Sequence, residues 1–378
     1  MTQRSFPAIL MRGGTSKALF FHRRDLPETS SAHNCQAWNE VFLSAMGSPD
    51  PYGRQLNGMG GGESSLSKVA VIAPSTRPDA DVDYTFAQVG IKDQSVGYKG
   101  NCGNISSAVG PFAVDEGLVK ATDDSATVRI FNTNTSKLIH ATFAVENGKA
   151  AVKGEYVLKG VAGSGSPIRL SFMNPGGAAT GRLLPTGSPL DVLDLDGGVS
   201  VEVSLIDAAN PVVCLLASSI GLNGSESPAE LRGNNVAMAL FEQIRIASAL
   251  KMGLVENREE AETKMKNLPL VALLADRAYP HASGNHGLEV RMISAGLPHR
   301  AIPLTGAMCL AIGAHLKDTL VNKILPHSDL ESTISITHAS GVIDINAIVE
   351  TVAGEQFAKE VSVVRTARRL MEGRVFLV

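Results

Sequence analysis

In the first half of the chain, apolar positions recur with period two or in short runs bounded by turn residues. Val69-Ala-Val-Ile72, Val82-Asp-Tyr-Thr-Phe86, Ala126-Thr-Val-Arg-Ile-Phe131 and Ala141-Thr-Phe-Ala-Val145 are β-branched or alternating, so each reads as a strand. Helical spacing is clearest over 32–45, 105–115 and 235–252. The second of these is small and apolar, the pattern of a helix buried among strands. The stretch 167–189, rich in Gly, Pro, Ser and Thr, reads as an ordered crossover between two halves.

At 378 residues the chain exceeds one ordinary core, which predicts two domains of similar size, 1–185 and 186–378. A net charge of −3 argues against nucleic acid and membrane surfaces as partners, because both select basic patches. Any anion site is therefore local. The apolar stretch Phe6 to Met11 is too short for a secretory segment or a membrane span, and a cytoplasmic location is expected. Four cysteines without CxxC spacing fit a reducing compartment and predict neither a disulfide framework nor a zinc site.

Three of those cysteines read as packing: Cys214 in an apolar strand-like run, Cys309 within a helix, and Cys35 near Trp38 in a surface helix. Cys102 differs. It precedes Gly103 and Asn104 at the start of the small apolar helix, where aligned peptide dipoles favour thiolate. The unpaired N–H groups of Gly103 and Asn104 suit a carboxylate beside the sulfur. Acid–base chemistry on an organic acid is the reading these residues support.

The second half echoes the first. Thr305-Gly-Ala-Met-Cys-Leu-Ala-Ile-Gly313 repeats the spacing of Cys102-Gly-Asn-Ile-Ser-Ser-Ala-Val-Gly110. Two such helices, pointing their N-termini at one cleft, would bind a dianion or trianion through Gly103, Asn104, Thr305, Gly306 and Ala307. Thr305 then stands in the place of Cys102, or Pro303 does if the register moves by two.

Six strings carry a more specific signal: Met11-Arg-Gly-Gly-Thr-Ser-Lys17, Gly60-Gly-Gly-Glu-Ser-Ser-Leu-Ser-Lys68, Asp81-Val-Asp-Tyr84, Gly100-Asn-Cys-Gly-Asn104, Leu183-Leu-Pro-Thr-Gly187 and Arg365-Thr-Ala-Arg-Arg-Leu-Met-Glu-Gly373. In this order and spacing the chain resembles the 2-methylaconitate isomerase (PrpF) family over essentially its whole length. The resemblance implies the α/β fold of diaminopimelate epimerase: two similar domains, each a curled, mainly antiparallel sheet around a central helix. It places the active site in the cleft between them and allows the last strand to return to the first domain.

The resemblance also implies the chemistry. Epimerases of this fold use two cysteines, each before a Gly-rich helix start; here the second is missing, so a thiol plus a different base remains. Lys68 ends the family's serine-rich string and is taken as that base, since burial or a neighbouring cation makes a lysine competent to accept a proton. Lys68 then removes an allylic proton from an unsaturated di- or tricarboxylate and Cys102 reprotonates the other end, with the roles exchangeable. No redox change occurs, so no nicotinamide, flavin or other cofactor is required. The run Asn57 to Gly62 lacks a Gly-Lys-Ser/Thr ending and reads as a turn admitting substrate rather than a phosphate loop.

Further substrate contacts are expected from Arg12, Thr15, Ser16 and Lys17, from Ser65 and Ser67 beside the lysine, and from Asn132 and Asn134. His281 and His286 are placed to line the site from the second domain, but their spacing lacks a third ligand, so no metal is expected. Three function classes stay open: an allylic isomerase or tautomerase, an amino-acid epimerase or racemase, and a non-catalytic tricarboxylate binder. Among acids, 2-methylaconitate, methylitaconate, aconitate and 4-oxalomesaconate all fit. A homodimer is the default assembly for an enzyme of this size.

Overall fold

A computed structural model describes residues 3–28, 36–98, 101–121, 123–280, 286–294, 296–325 and 333–378. The chain forms two compact units, Met1–Ser171 with Val364–Val378, and Phe172–Val363.

In the first unit the strands are β1 (Ser5–Gly13), β2 (Ser16–His22), β3 (Lys68–Pro74), β4 (Val82–Val89), β5 (Val96–Gly97), β6 (Ser125–Asn132), β7 (Lys137–Glu146), β8 (Lys149–Ala150) and the start of β9 (Ile168–Met173). Two α-helices accompany them, α1 (Gln36–Met46) and α2 (Gly103–Asp115). The main ladder runs β1–β2 antiparallel, β2–β3 parallel, β3–β4 antiparallel, β4–β6 parallel and β6–β7 antiparallel. The C-terminal strand Ala367–Phe376 returns to pair antiparallel with β1.

Alternation sorts the side chains of this sheet into two layers. Leu19, Phe21, Val69, Val71 and Ala87 pack against Trp38, Val41, Phe42 and Ala45 of α1. The other face takes α2, whose Phe112 ring lies 5.4 Å from Phe20 and 5.0 Å from His22. Every residue of α2 from Ile105 to Val114 is buried, as its composition predicts. Gly110 is where that helix comes closest to the sheet: a Cβ there would lie 2.7 Å from Phe143 and 2.9 Å from Ala141. The helix expected over 32–45 is α1, with 32–35 and hence Cys35 outside the described residues. Its Trp38 is core rather than surface, 2% exposed, with the indole N–H donated to the Pro27 carbonyl.

The second unit repeats the plan. Val199–Ala208 and Asn210–Leu216 are antiparallel, then Leu270–Leu274 is parallel, His286–Ser294 antiparallel, Thr333–His338 parallel and Gly341–Val352 antiparallel. That is the order of pairings in the first unit. The helix Leu304–His315, buried from Leu304 to Ala314, follows the fourth strand as α2 follows β4. The helix Asn235–Lys251 packs Phe241 and Ile244 against Val213, Leu215 and Leu273, the place α1 holds in the first unit. Two similar sheets, each around a buried helix, are thus present.

The division falls at 171/172 and not near 185, because the turn-rich stretch is bonded into the second unit. Gly177 N–H donates to the Asp207 carbonyl at 2.8 Å, Asp207 N–H to Leu183 at 2.9 Å and Ala209 N–H to Pro175 at 2.9 Å. The Asp207 carboxylate accepts from Ala179 N, Thr180 N and Thr180 Oγ1. No helix among the described residues is long and apolar enough to cross a membrane.

At the far end of α2, Glu116 accepts from His22 Nε2 at 3.0 Å and from Arg369, tying the helix to β2 and the C-terminal strand. Burial raises the Glu116 carboxyl, but the two hydrogen bonds and the Arg369 charge outweigh it, and the net shift is downward. A lowered carboxyl stabilises the fold above its unfolded value, about 4.5, and that contribution fades as pH falls through the lower folded value. Glu116→Gln is therefore expected to melt below wild type at pH 7, with the gap closing as pH drops from about 5 to 3, read by calorimetry.

Candidate active site

Cys102 is the N-cap of α2, with an extended backbone (φ −109°, ψ 94°) that turns the chain into the helix. Its carbonyl accepts from Ser106 N–H at 3.0 Å and Ser106 Oγ at 3.1 Å, while its side chain makes no capping bond. The thiol is half-buried. The N–H groups of Gly103 and Asn104 lie in the first helical turn, where no carbonyl four residues back is available.

That turn rests on the β1–β2 turn. A Cβ on Gly13 would lie 2.5 Å from the Asn104 carbonyl oxygen and 3.1 Å from Ile105 Cα. Gly14, at φ +53°, lies against the Asn104 amide and leaves no room for a side chain. Asn104 Nδ2 donates to Thr15 Oγ1 at 3.2 Å, and Asn104 Oδ1 accepts from Arg365 Nε at 3.3 Å. Arg12 Nη1 caps the carbonyls of Gly14 (2.8 Å) and Thr366 (2.9 Å).

Register locates Lys68 relative to this helix. Lys68 pairs with Gln88, Ala70 with Phe86, Ile72 with Tyr84, and Tyr84 with Asn132. Residues opposite each other share a face, so Lys68, Phe86, Gln88, Tyr84 and Asn132 all lie on one face of the sheet. It is the α2 face. Asn132 Nδ2 donates to Asn101 Oδ1 at 3.0 Å, next to Cys102, and the fully buried Tyr84 hydroxyl is pushed well above the usual tyrosine range by burial and by the neighbouring thiol. Lys68 is 8% exposed; its amine bonds Gln88 Oε1 and sits 5.1 Å from the Phe86 ring centroid. Gln88 is fixed in turn by donating Nε2 to the carbonyls of Ser64 and Ser67.

Other expected contacts divide by what holds them. Ser16 is buried on the α2 face, and Thr15 is exposed beside Asn104. Arg12 and Lys17, paired in register one step from Met11 and Ala18, fall on the opposite face, and the Arg12 guanidinium is engaged on backbone. Burial and the nearby Arg368 lower the Arg12 guanidinium from its ordinary value. Ser65 is half-buried in a single 3-10 turn, whereas Ser67 is fully buried and bonded to Val89 O and Gln55 Nε2.

Asn132 and Asn134 spend their amides on the protein. Asn132 Oδ1 accepts from Asn134 N and Thr135 N, and Asn134 Nδ2 donates to the Phe86 and Tyr98 carbonyls. They shape the floor under Asn101 rather than offering free donors. The glycine run 57–62 also has a structural job, since Gly58 lies against the backbone of Met46 and Gly47 and Gly60 against Gln55.

In the second unit, the helix Leu304–His315 is capped by Pro303, so the position matching Cys102 is a proline and Thr305 is the second helical residue. Thr305 Oγ1 accepts from Asn210 Nδ2 at 2.8 Å, Gly306 is pressed against Met292, and the Ala307 N–H donates to the Pro303 carbonyl. The strand in the place of β3 opens on Leu268-Pro269-Leu270, so it carries no lysine there. His286 begins a strand, its side chain outside the description, and His281 lies outside the described residues. Cys214 and Cys309 are fully buried, and burial raises both thiols. No cluster of three metal-ligating side chains occurs among the described residues.

Sequence reasoning missed Arg365, Gln88 and Phe86 as parts of this site. Arg365 opens the last of the quoted strings; Phe86 and Gln88 follow Tyr84 at intervals of two, the strand signal for a shared face.

The PrpF protein family model matches residues 3–378. The chain belongs to the PrpF family. Similar PrpF relatives are the 3-methylitaconate isomerase of Eubacterium barkeri, 40% identical with 99% of this chain and 98% of that protein covered, and the 2-methyl-aconitate isomerase of Cupriavidus necator, 38% identical with 99% and 97% covered. A crystal structure of methylitaconate-delta-isomerase matches with a TM-score of 0.81 at 39% identity, covering 100% of this chain and 96% of that one.

Gly13 holds the first turn of α2 in place, so Gly13→Ala is expected to destabilise the fold by about 1–3 kcal/mol and to lower turnover. Gly97→Ala, where the nearest atom to a Cβ is Gln88 O at 3.9 Å, is expected to leave the melting temperature unchanged. Equal melting temperatures for the two variants would contradict the packing described.

Proposed function

We propose that this PrpF isomerase shifts or isomerises the C=C bond of an unsaturated di- or tricarboxylate by proton transfer between Lys68 and Cys102. One observation carries the reading: in the first unit, Lys68 and the N-cap thiol lie on the same sheet face, Gln88 and Phe86 against the amine and Tyr84 beside the sulfur. Its named relatives act on 3-methylitaconate and 2-methyl-aconitate, acids that fit the same chemistry.

Removing an allylic proton gives a dienolate whose charge spreads onto a carboxylate. The first-turn N–H groups of α2 are aimed where that charge grows, and each well-placed donor contributes about 3 kcal/mol. One of the two groups takes the proton and the other delivers one to the far end of the three-carbon system; in the reverse reaction they exchange parts. Both groups belong to one unit, with Pro303 and Leu268-Pro269-Leu270 at the matching places of the other, which disfavours an epimerase with two opposed thiols. The substrate is a small diffusible acid and the working place is the cytoplasm.

The test is proton NMR in D₂O with 2-methylaconitate, methylitaconate, aconitate and 4-oxalomesaconate. Double-bond migration or isomerisation with deuterium uptake at the allylic carbon is expected for at least one acid without added cofactor. Lys68→Ala and Cys102→Ala are each expected to lose about 10²–10⁴ in rate. No conversion of any of the four acids, or full activity in either variant, would overturn the reading.

A further inference from the structure

Among the described residues Arg365 is a buried cation without a carboxylate. It is 6% exposed, and burial pulls its guanidinium down to about 10. Its Nε donates to Asn104 Oδ1 at 3.3 Å and its Nη1 to the Val364 carbonyl at 2.8 Å; Nη2 carries no hydrogen bond among the described residues. Tyr156, its other close polar neighbour, donates its hydroxyl to Val364 O at 3.4 Å. A guanidinium in such surroundings is costly unless an anion completes it.

The place where it waits is specific. Asn104 is the second residue of α2, two residues after the Cys102 cap, and the N–H groups of Gly103 and Asn104, without an acceptor among the described residues, lie in the same turn. The other buried arginines are differently employed. Arg245 is paired with Glu242 and three backbone carbonyls, and Arg291 with Glu289 and the carbonyls of Ser225, Glu226 and Val290. A fixed guanidinium beside open helix N–H groups makes a two-sided receptor for a carboxylate.

We propose that Arg365 binds a carboxylate of the substrate, which docks between its Nη2 and the first-turn N–H groups of α2 and so sets the reacting carbons beside Cys102. This deepens the isomerase reading and rests on it. Asn104 then serves as the spacer that aims the guanidinium, and Thr15 fixes Asn104 from the other side.

The probe is tricarballylate, a saturated tricarboxylate with no double bond to move, titrated calorimetrically into the full chain at pH 7. Melting temperatures are read with and without it. Wild type is expected to bind and to gain thermal stability. Arg365→Gln is expected to bind roughly 10- to 100-fold more weakly and to show a KM raised by a similar factor, the loss of one charged hydrogen-bonding partner. Its ligand-free melting temperature is expected to match or exceed wild type, because an uncompensated charge has been removed. Arg365→Lys, keeping the charge on a narrower donor, is expected to fall between the two.

Undiminished affinity in Arg365→Gln, or a ligand-free Arg365→Gln that fails to fold or melts well below wild type, would show a purely structural guanidinium and overturn the proposal. Wild-type turnover together with either result removes this proposal alone. A wild type that neither binds tricarballylate nor converts any of the four acids removes the isomerase reading with it.

Discussion

The contact on which the site depends is backbone against backbone: the first turn of α2 seated on the Gly13-Gly14 turn. At Gly13 the helix carbonyl of Asn104 stands 2.5 Å from where a Cβ would be, so the approach exists only because both turn residues lack side chains. Everything at the helix entrance follows from that approach. It brings the Asn104 amide to Thr15 and Arg365, and it sets the Cys102 cap above Asn132 and Tyr84. The C-terminal strand locks the arrangement, since Gly14 N–H donates to the Thr366 carbonyl and Arg12 spans both residues. A segment from the end of the chain thus completes a site begun by its first strands.

The two units share one pairing order and one placement of inner and outer helices, yet only the first carries both titratable groups. In the second, the matching helix is capped by Pro303, which has neither thiol nor N–H, and the strand matching β3 begins without a lysine. The doubled architecture therefore does not carry doubled chemistry. In the proposed reaction the proton is exchanged between Lys68, which opens β3, and Cys102, which caps α2, two groups of a single unit on one sheet face. Inverting one carbon with two thiols needs a second cysteine at the matching cap, where Pro303 stands.

The strands β3, β4, β6 and β7, the buried helix α2 and the cap position of Cys102 were all legible in the sequence, because each is written in local periodicity and in one small-residue run. What local pattern does not carry is partnership across tens of residues. Asn132 and Asn134 looked like free donors, but their partners are Asn101, Phe86 and Tyr98, reached only when β4 and β6 pair. Arg12 and Lys17 lie in the right string on the wrong face, a one-residue distinction that parity settles only once the register of β1 and β2 is known. The unit boundary was misplaced because a Gly- and Pro-rich stretch reads as a linker until Asp207 is seen to bind it. Arg365 stood in a recognised string, but its burial without a carboxylate among the described residues is a property of three-dimensional neighbours.

The central claim is that Lys68 and Cys102 address the same three carbons from the α2 face, and a crystal structure with trans-aconitate bound tests it most directly. The expected result has one carboxylate at the Gly103 and Asn104 N–H groups, with the Cys102 sulfur and the Lys68 nitrogen each about 3–3.5 Å from different carbons of the C=C–C system. An acid bound away from α2, or one that meets the sulfur while the amine stays on Gln88 out of reach of any carbon, would contradict the account.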